Sequence, residues 1–326
     1  TLSDLPQTIQ FVATASSGSD HLDKDFLKKQ HINFGDAKGC NARSVAEYVA
    51  TCLLLWSELT PIPLREKSIG IVGVGHVGRA VEEIVHRLDM NPLGYDPPRE
   101  KRDSTFHSAS LGEVLKCDII SLHVPIKKIG PYATWHWLDD EKLRNHSFNM
   151  VINAARGGVS DEKALLKAWE NKTVGHLVTD VWENEPVFSD RMLKQSWIAT
   201  PHIAGYSTEA KTRASAMVMK QLCSHFGIPT VDFPESEWVS TQIIEQSDFN
   251  TQSPTLTEIL HNLHPLKQYE QRLRSLAGSD KQKKAAKFSA LRTNQPYRNE
   301  FANVTVSREI IEKYPVLSKL DIKTSR

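Results

Sequence analysis

The chain has 326 residues, which at about 150 residues per domain predicts two domains or three. Its 40% apolar and 24% charged content excludes a mostly disordered chain, and no apolar run approaches the roughly 18 residues of a membrane span. The formal charge of +1 hides an asymmetry: residues 265–326 carry 14 Lys/Arg against 6 Asp/Glu, or +8, and the first 264 residues carry 26 against 33, or −7.

Residues 9–13 (IQFVA) and 32–35 (INFG) read as short strands, and 44–57 as a long, largely apolar helix before Pro61 and Pro63 break the pattern. The chain then alternates. Strand 69–73 precedes helix 76–88, and strand 93–96 stops at Pro97 and Pro98. Strand 118–124 stops at Pro125, and strand 150–153 precedes helix 161–170. Strands 176–181 and 197–199 follow, then helix 208–226. Apolar strands alternating with helices predict a parallel sheet covered on both faces. Beyond residue 228 the texture changes. Segment 229–255 is rich in Pro, Ser and Glu and reads as a linker or extended arm. Segment 256–277 is helical with a bend at Pro265, 278–300 is Lys-rich and polar, 304–306 suits a strand and 308–314 a short helix, together a small α+β domain.

The basic tail suits an anionic small molecule, a nucleic acid, an acidic surface or plain solvation. It lacks the aromatic interleaving of a nucleic-acid module, so no nucleic acid and no membrane are expected as partners. Four isolated cysteines (Cys40, Cys52, Cys117, Cys223) without a CxxC pair point to a reducing, cytoplasmic setting, with no disulfide frame and no metal site. No signal peptide is read, and the opening Thr1 suggests that the natural N-terminus lies upstream.

Gly73-Val74-Gly75-His76-Val77-Gly78 follows one predicted element and opens the next, as a dinucleotide-binding GxGxxG does. The first glycine permits the tight turn, the second lets backbone reach a pyrophosphate, and the third lets helix and strand pack closely. Asp96, 18 residues past Gly78, stands where an acid binds the ribose hydroxyls of NAD and repels the extra phosphate of NADP, with Arg99 nearby. Three more features fall at later strand ends: Asn153-Ala154-Ala155-Arg156-Gly157-Gly158, Asp180 to Pro186, and Pro201 to Tyr206. The fork of Arg156 matches a carboxylate. Among 13 histidines, His202 stands out because it ends a strand and has Glu185 17 residues upstream, the pattern of a carboxylate-oriented general base. His21, His123, His136 and the seven tryptophans read as structural.

Over about residues 9–227, the motifs GVGHVG, NAARGG, DVWENEP and PHIAGY occur in the order and spacing of the D-2-hydroxyacid dehydrogenase family, which the chain resembles. ATASSGSDHLD at 13–23, GCNARSVAEYV at 39–49, YDPPR at 95–99 and GPYATWH at 130–136 resemble more closely a branch that oxidises a phosphorylated sugar acid on the route to vitamin B6. The resemblance implies an NAD-dependent oxidoreductase with a Rossmann-type, doubly wound NAD domain over 45–204. It also implies a flavodoxin-like lid at 1–44 to which 205–227 returns, and a dimerisation domain at 228–326 that makes a homodimer. Arg156, Glu185 and His202 are then catalytic. Gly73, Gly75, His76, Val77, Gly78, Asp96, Val124, Pro125, Ala154, Ala155, Asp180 and Gly205 line the NAD site, with Val124 where relatives carry Thr. Ser16 and Tyr206 touch substrate, and Arg298, in FSALRTNQPYRNEF, is the expected phosphate ligand from a partner subunit, with Arg292 the alternative. Relatives carry about fifty residues before the position of Thr1, including an Arg-Ser pair expected to bind substrate. The rival readings are another phosphorylated 2-hydroxyacid dehydrogenase of the 3-phosphoglycerate type and a non-catalytic, corepressor-like NAD-binding regulator. A formate dehydrogenase is disfavoured, because that branch pairs its histidine with Gln.

Overall fold

A computed structural model of the protein describes residues 5–230, 234, 237–251, 253–293 and 296–325. Thr1, parts of the 229–255 arm and residues 294–295 of the Lys-rich segment lie outside the described residues. The chain begins β1 (Phe11–Thr14), α1 (Lys24–Lys29), β2 (Asn33–Asp36) and α2 (Ala42–Ser57). The middle runs β3 (Ser68–Val72), α3 (His76–Arg87), β4 (Asn91–Tyr95), α4 (Pro97–Glu100), α5 (Leu111–Val114), β5 (Ile119–Leu122), α6 (Asp140–Asn145), β6 (Phe148–Asn153), α7 (Glu162–Glu170), β7 (Val174–Thr179), α8 (Asp190–Gln195), β8 (Ile198–Ala199) and α9 (Thr208–Phe226). The remainder is β9 (Gln242–Ile244), α10 (Leu256–Leu263), α11 (Leu266–Arg274), α12 (Lys281–Thr293), β10 (Val304–Val306), α13 (Arg308–Lys313) and β11 (Lys323–Thr324).

The expected parallel sheet is present, with strand order β4-β3-β5-β6-β7-β8. Every pairing in it is parallel, and Gly70 in β3 is flanked by Leu93 of β4 and Ile120 of β5. The chain leaves β3 in both directions, so the crevice between the carboxyl ends of β3 and β5 is the switch point where such sheets hold ligands. The strands are near-continuous apolar runs because both faces are covered. On one face lie α2 and α3; Ser44 to Trp56 are all buried, as expected of a helix enclosed on every side. On the other lie α6, α7 and α8.

The short sheet β1-β2 stands apart, with Phe11 opposite Asn33, and α9 packs across it. Pro97 and Pro98 do end β4, but they also open α4, whose first turn Asp96 caps. Pro265 divides the expected 256–277 helix into α10 and α11. The 229–255 arm contains a strand, β9, and the Lys-rich segment contains α12.

The C-terminal segment has its own parallel sheet, β11-β10-β9, but not its own core. Ile244, Leu260, Phe301 and Val306 share one apolar cluster with α2 and β3, while Leu273 and Phe288 join the cluster on the opposite face. A buried polar network fixes this docking. Arg298 donates to Glu47 Oε2 at 2.6 Å and to the Ser44 carbonyl at 3.0 Å. Glu47 also accepts from the Phe301 N–H, while Glu300 accepts from Ser44 Oγ at 2.8 Å and from Arg213 at 3.0 Å. Arg298 and Glu47 expose only 4% and 1% of their side chains, so removing one partner strands the other charge out of water. Arg298→Ala is therefore expected to cost about 3–5 kcal/mol of stability, and Arg298→Ala with Glu47→Ala much less than the sum of the single losses. Urea unfolding of the three variants checks this; additive losses would show that the pair is uncoupled.

Candidate active site

The glycine loop divides its work by position. Gly73 has a φ of +88°, which an L side chain rarely adopts, and it makes the turn out of β3. A Cβ on Gly78 would lie 2.0 Å from the Gly73 carbonyl oxygen, so only glycine lets α3 pack this closely on the turn. A Cβ on Gly75 would meet no heavy atom within 4 Å among the described residues, and no side chain caps α3 there. The amino end of α3 therefore offers free N–H groups to an anion such as a pyrophosphate. Asp96 sits at the end of β4 with Oδ2 accepting from the Val74 N–H at 2.9 Å, beside the loop as expected. Val124 and Pro125 face the same crevice from the end of β5. This cradle suits a dinucleotide.

Three strand ends further along deliver the charged groups. A Cβ on Gly157 would fall 1.8 Å from the Trp182 carbonyl oxygen, so the turn after β6 lies directly on the loop after β7. That contact brings the Arg156 turn beside the acid loop. His202 Nδ1 is 2.8 Å from Glu185 Oε2, and Glu185 Oε1 accepts from the Trp182 N–H at 2.8 Å. The carboxylate is thus anchored on one oxygen and orients the imidazole with the other. Glu183, the neighbouring acid, turns away to His136 at 3.2 Å.

His202 has a φ of +59°, a left-handed conformation uncommon for a side-chain-bearing residue. Asp180 holds it there. Its carbonyl accepts from the His202 N–H at 2.7 Å, Oδ1 from the Ile203 N–H at 2.7 Å and Thr200 Oγ1 at 2.6 Å, and Oδ2 from the Ala204 N–H at 3.0 Å. Asp180 is 1% exposed. Burial pushes its carboxyl above the usual range, against the pull of His202 and these donors. The expected cofactor ligand Asp180 thus also supports the loop that carries His202, through three bonds to its carboxylate.

A cleft of about 730 Å³ collects Ser16, Gly75, His76, Val77, Val124, Pro125, Ala154, Ala155, Arg156, His202, Gly205 and Tyr206. Arg156 donates through Nε to Asp20 Oδ2 at 2.8 Å, and Ser16 Oγ donates to the Gly18 carbonyl at 2.7 Å. Of the four histidines lining the cleft, His21 contacts Thr14 and His123 contacts Ser121, while His202 contacts a carboxylate. Burial pushes the His123 imidazole down to about 3, so it is neutral.

Arg298 is a correction. It does not reach a cleft, because its guanidinium is buried against Glu47 and the Ser44 carbonyl. The alternative, Arg292, does line the cleft, donating to the Tyr206 hydroxyl at 2.8 Å. The sequence reading also missed Asp20, Asn41 and Lys211. Asn41 is identifiable only in three dimensions: its Oδ1 is buried without a partner among the described residues, and its amide nitrogen would lie 2.2 Å from a Cβ on Gly205. His136, Asp161 and Glu183 bring three potential metal-ligand atoms within 4.8 Å of one another, a grouping the sequence did not suggest; His136 already contacts Glu183 at 3.2 Å and Asp161 at 3.6 Å. Among the described residues, no helix is long and apolar enough to cross a membrane.

Residues 47–204 match the family described as D-isomer specific 2-hydroxyacid dehydrogenase, NAD binding domain. The chain is similar to the erythronate-4-phosphate dehydrogenase of Photorhabdus laumondii, with 35% identity over 98% of this chain and 84% of that one. It is also similar to the protein of that name from Hydrogenovibrio crunogenus, with 42% identity over 71% of this chain; this match spans 60% of the relative. Among solved structures it resembles D-lactate dehydrogenase from Aquifex aeolicus complexed with NAD and lactic acid, with 26% identity and a TM-score of 0.56 over 76% of this chain and 81% of that one. The parallel sheet, the open glycine cradle and the strand-end Arg, Glu and His thus occur in a chain that belongs to the D-isomer specific 2-hydroxyacid dehydrogenase family and is an NAD-dependent oxidoreductase.

Proposed function

We propose that the protein oxidises the 2-hydroxyl of 4-phospho-D-erythronate to the 2-oxo acid, 3-hydroxy-2-oxo-4-phosphooxybutanoate, in vitamin B6 biosynthesis. The observation that carries the chemistry is the His202–Glu185 contact at 2.8 Å in the cleft that also holds Arg156. The names of the relatives support the substrate. Bound NAD supplies the hydride acceptor. His202 Nε2 takes the proton of the C2 hydroxyl, and Glu185 at Nδ1 stabilises the resulting imidazolium and fixes the ring. The Arg156 fork takes the substrate carboxylate in two parallel bonds and holds C2 in register with His202. The glycine loop, with Asp96, Ala154, Ala155 and Gly205, holds the dinucleotide; Ser16 and Tyr206 complete the substrate side.

We also propose a cytoplasmic homodimer. Four buried free thiols suit a reducing compartment. Dimerisation is supported by an exposed apolar patch in which Met219 of α9 and Trp238, beyond it, line a shallow depression of about 290 Å³ and are 46% and 60% exposed. Sedimentation is expected to give twice the chain mass, falling toward one chain mass in Trp238→Asp; a wild-type monomer at micromolar concentration overturns the dimer.

The activity is read from NADH absorbance with 4-phosphoerythronate. His202→Asn is expected to lower kcat about 10²–10⁴-fold while NAD still binds. Near wild-type turnover in that variant would sink the acid/base assignment. Asp20, 49% exposed, occupies the position on Arg156 that a substrate carboxylate needs. Asp20→Asn is therefore expected to lower KM about two- to fivefold, the range of an exposed ion pair. An unchanged or higher KM would mean that Asp20 does not compete with substrate.

A further inference from the structure

Four basic side chains line the cleft: Lys38, Arg156, Lys211 and Arg292. Two already face an acid. Lys38 Nζ lies 3.4 Å from Asp36, and Arg156 Nε lies 2.8 Å from Asp20. Lys211 and Arg292 meet no carboxylate among the described residues. Both press instead on one tyrosine: Lys211 Nζ is 3.8 Å from the centroid of the Tyr206 ring, and the Arg292 guanidinium carbon is 5.4 Å from it. Arg292 Nη2 donates to the Tyr206 hydroxyl at 2.8 Å, and its Nε is buried with no acceptor among the described residues. Burial, and then the neighbouring Arg292 charge, push the Lys211 ammonium below its ordinary pKa.

Two cations that are partly dehydrated, close enough to repel and short of acceptors form an unfavourable arrangement on their own. A doubly charged anion between them removes the repulsion and supplies oxygens to the buried N–H and the ammonium. A single carboxylate has fewer oxygens and half the charge, and Arg156 is already placed for one. Tyr206, four residues beyond His202, sets this pair on the substrate side of the acid/base group.

We propose that Lys211 and Arg292 form the seat for a phosphate ester at the far end of the hydroxy acid whose carboxylate Arg156 binds. The proposal rests on the phosphorylated-substrate reading above. Lys211 comes from the first turn of α9 and Arg292 from the last turn of α12, so the C-terminal segment determines substrate choice from within its own subunit. The Glu47–Arg298 network, six residues beyond Arg292, anchors that segment to α2.

The test compares kcat/KM for 4-phosphoerythronate with that for unphosphorylated erythronate in wild type, Arg292→Gln, Lys211→Gln and the charge-retaining Arg292→Lys. The preference for the phosphorylated acid is expected to fall about tenfold to a hundredfold in each Gln variant, the range of a hydrogen bond to a charged group, and less in Arg292→Lys. An equal loss on both substrates, or none, overturns the seat. Calorimetric titration of the NAD-loaded proteins with inorganic phosphate decides independently of turnover. Wild type is expected to bind it and the Gln variants to bind it at least tenfold more weakly; equal binding, or none in wild type, also overturns the seat. Wild type that binds phosphate through these residues but does not oxidise 4-phosphoerythronate would overturn the substrate reading and leave the seat standing.

Discussion

The molecule is organised around a charge pair that water does not reach. Glu47, on a helix buried on all sides, and Arg298, in an irregular stretch of the C-terminal segment, are far apart in sequence and almost dry in the fold. Neither charge is tolerable there alone, so the two segments dock together or leave a buried ion unpaired. Ser44, Ser207, Arg213 and Glu300 extend the contact into the first turns of α9. Glu209 adds bonds to the Glu300 N–H and the Asn303 amide. One network thereby fixes three things that the cleft needs: the wall made by α2, the entrance of α9 with Tyr206 and Lys211, and the placement of α12 with Arg292.

Acids gather around His202, and most of the cleft's cations lie elsewhere along it. Behind His202 lie Glu185, Glu183, Asp161 and Glu162. Burial, aided by Glu183 and Glu185 and opposed by a bond from the Glu183 N–H, pushes Glu162 up to about 7. His136 stands between Asp161 and Glu183, 3.6 and 3.2 Å from their carboxylates. The same cleft is lined by Arg156, Lys211 and Arg292. A substrate with two anionic ends is drawn to these cations, and a proton taken from it is received by His202 beside Glu185.

Much of this was legible in the sequence, for identifiable reasons. The strands of the large sheet are buried on both faces, so Ile69 to Val72 or Met150 to Ile152 are unbroken apolar runs that stand out. The glycine loop, Arg156, Glu185 and His202 were readable because each follows a strand, and strand ends share one edge of a parallel sheet. The helix α12 was not readable: it buries Phe288 and Lys284, and the latter is a buried lysine satisfied by the Phe188 carbonyl and Asp190. In sequence such a helix looks like a solvated basic stretch. Choosing Arg298 over Arg292 failed for a related reason. Nothing in the chain shows that the first of these side chains turns into the core to meet Glu47 and the second turns out to meet Tyr206. Lys211 and Asn41 gave no signal because their environments are made by other segments.

His202 carries a backbone conformation that costs about 1–3 kcal/mol for a residue with a Cβ, and Asp180, itself buried and ionisable, is committed to holding it. The active site is thus a place where the fold is less stable than it could be. Selection for thermal robustness alone would favour glycine or asparagine at this position, at the expense of turnover. Design of a hardier variant therefore belongs in the surface loops, away from the turn after β8. A consensus-based search that proposes relaxing this turn would be trading activity for melting temperature.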